Sequence, residues 1–305
     1  MKHIAPSLLA CACFALVTPM AAADDTAVVK KIYLQNKDAV VWVTGVAKVS
    51  IGARDSKMPM NIPDQEDKFE ALGTIIDATG MVVTSLGNID PASRYSGREM
   101  NGPQGRITIE ATAILKEVKV VLADGTEIPF DVVLKDADLD LAFLRPKADA
   151  KEATGVVFTA VNLKDAGSAD VADEVVNLAR ADEILNRQPQ VMRGEIMTVT
   201  NKPRKFFWVT SCYPGTPTFT MDGKLLGIAV LRDRKGDDNA RPIPVVLPAA
   251  DVLEVAEQAK TAKPIVQEEA AAAPDAAGDD ASAAPASEAP ASVNPAPAAP
   301  PADPK

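Results

Sequence analysis

The stretch SCYPGTPTFTMDGKLLGI, residues 211–228, sets a small-residue turn broken by Pro and Gly just ahead of an Asp222-Gly223 hairpin. A turn of that kind, running into a buried hairpin, is a common place to hold a nucleophile, and Ser211 and Cys212 are the candidates. Either would need a base to take its proton. The sole histidine of the 305 residues is His3, so no imidazole lies near this turn in sequence. A lysine base for Ser211 would have to be Lys202 or Lys205, and nothing in the spacing favours that pairing. A lone cysteine beside an apolar strand is usually a small buried residue, which is the reading for Cys212. The run DADLD, Asp136 to Asp140, imitates the start of a calcium loop. Its sixth position is Leu141 rather than Gly and its twelfth is Lys147 rather than Glu, so no metal is expected there. No cofactor motif is present.

Bulk properties narrow the classes further. The formal charge is −10, which argues against a nucleic-acid partner. Of that charge, −6 falls in residues 264–305, a stretch with nine prolines and no aromatic residue. Such a stretch cannot bury enough apolar surface to offset its ordering entropy, so a disordered, solvated tail is expected. At the other end, a basic start, the apolar IAPSLLACACFALV and the small residues of AAADD form a secretory signal with cleavage expected after Ala23. A lipoprotein box at Cys11 is the less favoured alternative. Export into a periplasmic or extracellular space follows, with no later segment long enough to span a membrane. Removal of Cys11 and Cys13 would leave Cys212 unpaired and the domain held by its core alone.

Between these ends, residues 24–263 read as folded. Val28, Val29, Ile32 and Tyr33 recur at helical spacing, predicting a short opening helix. Strands are expected in AVVWVTGVAKVSI, GTIIDATGMVVTS, EVKVVLADGTEIPFDVVL, DLDLAFLRP, GVVFTAVNL, DEVVNLAR, RGEIMTVT, KFFWVTS, the hairpin around Asp222-Gly223 and PIPVVLP. Asp124-Gly125 suits a hairpin turn that needs positive φ. A closing helix follows in AADVLEVAEQAKTAK, buried through Val252, Val255, Ala256 and Ala259, with Asp251 and Glu254 expected to cap its start. The charged segments NKPRKFF and RDRKGDD read as solvated loops. Many short strands with a helix at each end predict an all-β protein.

The order of these pieces resembles the trypsin-like serine proteases of the HtrA/Deg type, from about Val28 to Gln258. VVLADGTEIPFDVVLKDADLDLAFLRP is close to that family's hairpin and Asp-Leu-Ala strand. MDGKLLGIAVL resembles the strand pair after its nucleophile turn, and PIPVVLPAADVLEVAEQ its closing strand and helix. The resemblance implies a double six-stranded β-barrel and a Ser-His-Asp triad. Asp140 falls at the aspartate, Gly87 of TSLGNID at the histidine, and Pro214 at the nucleophile. Two of the three side chains are therefore replaced, and proline also lacks the N–H that the nucleophile lends to the oxyanion hole. A degenerate protease homologue without a PDZ domain is the expectation. Its former cleft, lined by Arg193, Gly194, Glu195, Cys212, Gly215 and Thr216, would bind extended segments of other proteins by strand addition, or pair with active relatives. The resemblance also makes a homo-oligomer plausible. The alternatives are a divergent active endopeptidase and a structural envelope protein.

Overall fold

The computed structural model describes residues 20–54, 64–102, 105–232 and 242–265. The expected signal segment lies outside these residues up to position 19, and the tail lies outside them from position 266.

The apolar i, i+3, i+4 spacing at the start becomes helix α1, Met20–Asn36, with Val29 and Ile32 buried. The first barrel follows. It contains β1 Val40–Arg54, β2 Gln65–Ile75, β3 Val82–Ser85, β4 Glu99–Gly102, β5 Gly105–Val121, β6 Glu127–Asp136 and β7 Leu141–Pro146, with the short helix α2, Leu86–Ile89, after β3. The ladder runs β1-β2-β3-β7-β6-β5, and β5 returns to β1, so six strands close a ring with β4 hung on β5. The second barrel is closed in the order β10-β13-β12-β11-β8-β9, built from β8 Glu174–Arg180, β9 Pro189–Thr200, β10 Phe206–Val209, β11 Pro217–Thr220, β12 Leu225–Arg232 and β13 Ile243–Pro248. Helix α3, Ala249–Thr261, then packs its apolar stripe inward. The double six-stranded barrel with terminal helices is thus present.

Inward-pointing residues of alternating parity fill each barrel: Val43, Phe69, Val120 and Phe130 in the first, Val175, Ile196 and Phe207 in the second. A third cluster joins them. It brings together Val29 and Ile32 of α1, Val83 and Phe143 of the first barrel, Val176, Ile228 and Val230 of the second, and Val252 and Ala256 of α3. The two helices therefore cover the seam between the barrels. Both Asp-Gly turns form as expected, with Gly125 at φ +86° and Gly223 at φ +85°.

Three expectations need correction. Residues 155–163 form no named strand; this stretch crosses between the barrels, held by Val161 N–H donating to Ile75 O at 3.0 Å and by the burial of Val161 and Leu163. Its apolar residues serve the seam rather than a ladder. The capping expectation also fails: Pro248 stands at the N-cap of α3 with no side-chain cap, and Asp251 instead faces Arg204 at 3.7 Å. Finally, β4 and the first part of β5, up to Lys116, are strand where none was expected. In β5 these residues are mostly half-exposed or exposed ribbon, so they carry little of the burial pattern that marks a core strand.

Candidate functional site

The turn singled out in the sequence is a type II β-turn over Tyr213–Thr216. Thr216 N–H donates to Tyr213 O at 3.1 Å, Pro214 sits second and Gly215 third with φ +86°. The Thr216 hydroxyl donates to the same carbonyl at 2.6 Å. Proline presets the second position and glycine supplies the left-handed third, so the sequence specifies this shape locally.

Both barrels grip the turn. On the second-barrel side, Gly215 N–H donates to Ala229 O at 2.7 Å and Ala229 N–H to Thr216 O at 2.9 Å. The buried Asn177 amide donates to Thr216 Oγ1, Pro217 O and Thr218 Oγ1 at 2.9, 3.0 and 3.1 Å. From the first barrel, Thr74 Oγ1 donates to Gly215 O at 2.8 Å. A Cβ on Gly215 would stand 1.9 Å from Leu72 O, so no other residue fits between the barrels here. The donors at 215 and 216 are committed to protein acceptors, and Pro214 has none. This turn offers no pair of N–H groups at 214–216 to stabilise an oxyanion.

Asp140 lies across the seam in a left-handed conformation, φ 58°, that aspartate tolerates better than most residues. It is 9% exposed. Its Oδ1 accepts from Gly87 N–H at 2.7 Å. Its Oδ2 accepts from Ser85 Oγ at 2.5 Å and from Leu231 N–H at 2.6 Å. Ser85 and Gly87 belong to the first barrel's β3–α2 corner and Leu231 to β12, so one carboxylate ties the barrels together. Burial pushes its pKa above the usual carboxylate value, against the opposing pull of the Ser85, Leu231 and Gly87 hydrogen bonds and of Arg232.

Gly87 contributes backbone and nothing more. A Cβ there would meet Asp140 Oδ1 at 3.2 Å and Leu231 Cδ1 at 3.4 Å, so the leucine side chain stands in the space a larger residue would enter.

Among the described residues, the remaining candidate nucleophiles are not paired with a base. Ser211 Oγ contacts only the Met192 sulfur, at 3.4 Å, among its recorded side-chain partners. Lys202 and Lys205 lie at the β9–β10 turn, and Lys205 Nζ sits over the Phe207 ring at 4.8 Å. The four extended residues of β10, Phe206–Val209, at about 3.3 Å each put about 13 Å between Lys205 and the bend that holds Ser211. A lysine side chain cannot bridge that. Cys212 is half-buried against the apolar cluster of the second barrel, and burial pushes its thiol up to about 12.

Arg193, Gly194 and Glu195 sit within β9, paired with β8 through Val176, Val175 and Glu174. On the other side Thr210 N–H donates to Glu195 O at 3.0 Å, and Glu195 N–H to Thr210 Oγ1 at 3.0 Å. β10 pairs with β9 from Ile196 to Thr200, so at Arg193 and Gly194 the strand partner is β8. The Arg193 guanidinium is paired with Glu174 at 2.6 Å and Asp25 at 3.6 Å. In the Asp136–Asp140 run, Asp136 Oδ1 accepts from Leu139 N–H at 2.9 Å, and Asp140 points into the seam. No cluster of three metal-ligating side chains occurs among the described residues.

Thr74, Asn177 and Leu231 were not anticipated. Thr74 and Asn177 are single polar residues within apolar runs, GTII and EVVNLA, and a buried polar residue of that kind must find partners. That signal was available for both. Leu231 acts through its N–H, which no side-chain pattern reveals.

Comparison with known proteins adds the following. The trypsin-like peptidase domain family matches residues 71–228, just over half of the chain. The protease domain of MamO from Magnetospirillum magneticum, solved in an apo form, is similar at 18% identity, covering 73% of this chain and 98% of that one with a TM-score of 0.42. No curated protein matches the sequence.

Proposed function

The chain belongs to the family of trypsin-like peptidase domains, and from that premise we propose that it is an exported, proteolytically inactive member of the HtrA type that serves as a protein-binding module. The observation that carries the reading is the corner of Gly87 and Asp140. The carboxylate that would orient a histidine accepts from the backbone N–H of Gly87 and Leu231 and the hydroxyl of Ser85. Ser-His-Asp chemistry needs a group that takes the nucleophile's proton and returns it to the leaving amine. The single histidine of the sequence is His3, 84 positions before Gly87 in the chain. Pro214 and the committed N–H groups beside it remove electrophilic help as well.

A binding role is what the architecture retains. Val191, Met197 and Trp208 are about 40% exposed on the outer faces of β9 and β10, and Tyr213 is 48% exposed at the turn. Large apolar groups of this kind suit a partner protein better than solvent. Strand addition would use the side of Arg193 and Gly194 that faces away from β8. The N-terminal signal sequence supports a periplasmic or secreted location.

Degradation of reduced casein and fluorophosphonate labelling of the purified chain test the central point, with Ser211→Ala and Cys212→Ala as controls. No turnover and no labelling is expected. Turnover abolished by either substitution would overturn the reading.

A further inference from the structure

The two edges of β2 are covered unequally. β1 pairs with one edge from Gln65, opposite Val49, to Thr74, opposite Val40. On the other edge β3 pairs only with Gly73–Ile75, and among the described residues no strand pairs with Gln65–Leu72 there. One hydrogen bond gives the direction of the backbone groups. Leu72 O accepts from the Thr84 hydroxyl of β3 at 2.7 Å, so the N–H and C=O of Leu72 face away from β1. Backbone groups alternate along a strand with period two, so Glu66, Lys68 and Glu70 also direct theirs to the open edge. The side chains of these three are exposed on the outside of the barrel, because Phe69 and Ala71 between them fill its interior. Glu66 is paired with Lys116 at 3.1 Å and Glu70 with Arg187 at 2.8 Å. Lys68 has no ion pair among the described residues.

Charge on an open strand edge repels most incoming strands and admits one that answers it. We propose that this one is β2 of a second copy of the chain, paired antiparallel about a twofold axis at Phe69. Lys68 of each copy then lies opposite Glu70 of the other. The two residues exchange both backbone hydrogen bonds, and by symmetry the ammonium–carboxylate pair forms twice. The charges select this register. An axis at Lys68 sets Lys68 against itself and Glu66 against Glu70, and an axis at Asp67 sets Asp67 against itself. Like charges directly opposite destabilise a pair of strands. The ladder ends at Glu70, because Leu72 O is taken by Thr84 and lies 1.9 Å from where a Cβ on Gly215 would stand. This contact between copies goes beyond the proposed binding role and stands whether or not the protein is inactive.

Sedimentation velocity on the purified full chain tests it. A monomer–dimer equilibrium is expected in the micromolar range. Lys68→Glu and Glu70→Lys each turn both attractive pairs into repulsive ones, so each alone should weaken the dimer at least about tenfold. Circular dichroism should show both variants folded. Mixed together, the two should associate with each other, since one strand is then acidic at both positions and the other basic at both. The double variant Lys68→Glu/Glu70→Lys should dimerise again on its own. An unaltered chain that stays monomeric throughout that range would overturn the proposal. So would a dimer indifferent to either reversal, or one that neither the mixture nor the double variant restores.

Discussion

Two corners of the molecule, those that the resemblance to trypsin-like proteases assigns to catalysis, are held together in different ways. At Tyr213–Thr216 the backbone shape is held from both sides, yet the side chain at its head is proline. At Asp140 the side chain itself is held, accepting three hydrogen bonds from two barrels. In the first corner the fold uses the turn, and in the second it uses the carboxylate. What the two share is a hydrogen bond that joins the first barrel to the second. The residues present are those whose loss would leave a buried backbone group unpaired or a seam unfilled.

The sharpest way to break the first corner is Gly215→Ala. A methyl at that position meets Leu72 O at 1.9 Å on a backbone with φ +86°. Relief would require the barrels to separate or the turn to flip, so a loss above about 4 kcal/mol is expected, visible as a collapsed urea midpoint or a failure to fold. The neighbouring Cys212 tests whether the turn keeps a reactive group. With the thiol pushed up to about 12 from 9.0, its thiolate fraction at pH 8 falls about a thousandfold. Iodoacetamide should therefore label it very slowly in the native protein and at the ordinary rate in urea. Fast native labelling would show that the apolar packing is wrong.

The second corner should yield less, because removing Asp140 also removes a buried charge. Asp140→Ala leaves two backbone N–H groups and a hydroxyl without their acceptor, and about 3 kcal/mol is expected in urea unfolding. Asp140→Asn keeps one oxygen, which can serve Ser85 and Leu231. Its amide group then opposes the Gly87 N–H, at a cost of about 1–2 kcal/mol. The sign with pH follows from the raised native pKa. Between the unfolded value of 3.8 and that raised value, the native state binds more protons than the unfolded one. Wild-type stability from this group therefore rises as pH falls through the window, a gain the asparagine variant lacks. The gap between the two should widen on acidification, and a narrowing gap would mean that the hydrogen bonds outweigh burial.

The difference between the corners also explains what could be read from the residues alone. Pro214-Gly215 and the two Asp-Gly pairs encode their turns in the residues that form them, so those turns were legible. So were the strands with one buried face, and α1 and α3 with one apolar stripe. The Asp140 network was legible only in outline, because two of its three donors are backbone N–H groups from Gly87 and Leu231, distant in sequence and silent in side-chain chemistry. Which neighbours cover β9 was illegible for a related reason. Local sequence shows that a segment is strand, whereas only the pairing shows that β8 covers Pro189–Glu195 and β10 covers Ile196–Thr200. Residues 155–163 failed in the opposite direction, since an apolar run crossing a seam and an apolar run in a sheet look alike before the partners are known.

The smallest expected effect is also the most informative about the comparison. If the corners had lost only side chains, Gly87→His with Pro214→Ser would restore a measurable protease. The geometry argues otherwise. An imidazole at 87 enters space held by Leu231, whose Cδ1 is 3.4 Å from the new Cβ, and the Asp140 oxygen it would need already accepts from Leu231 N–H and Ser85 Oγ. A serine at 214 regains its own N–H, but Gly215 N–H still donates to Ala229 O and Thr216 N–H to Tyr213 O. Casein turnover by the double variant should stay at the background of the unaltered chain, with folding retained by circular dichroism. Shortening Leu231 as well, by Leu231→Ala, opens the space for the ring, and any turnover gained at that third step alone would locate the block in packing. Turnover from the double variant would mean that the corners had lost side chains and nothing else.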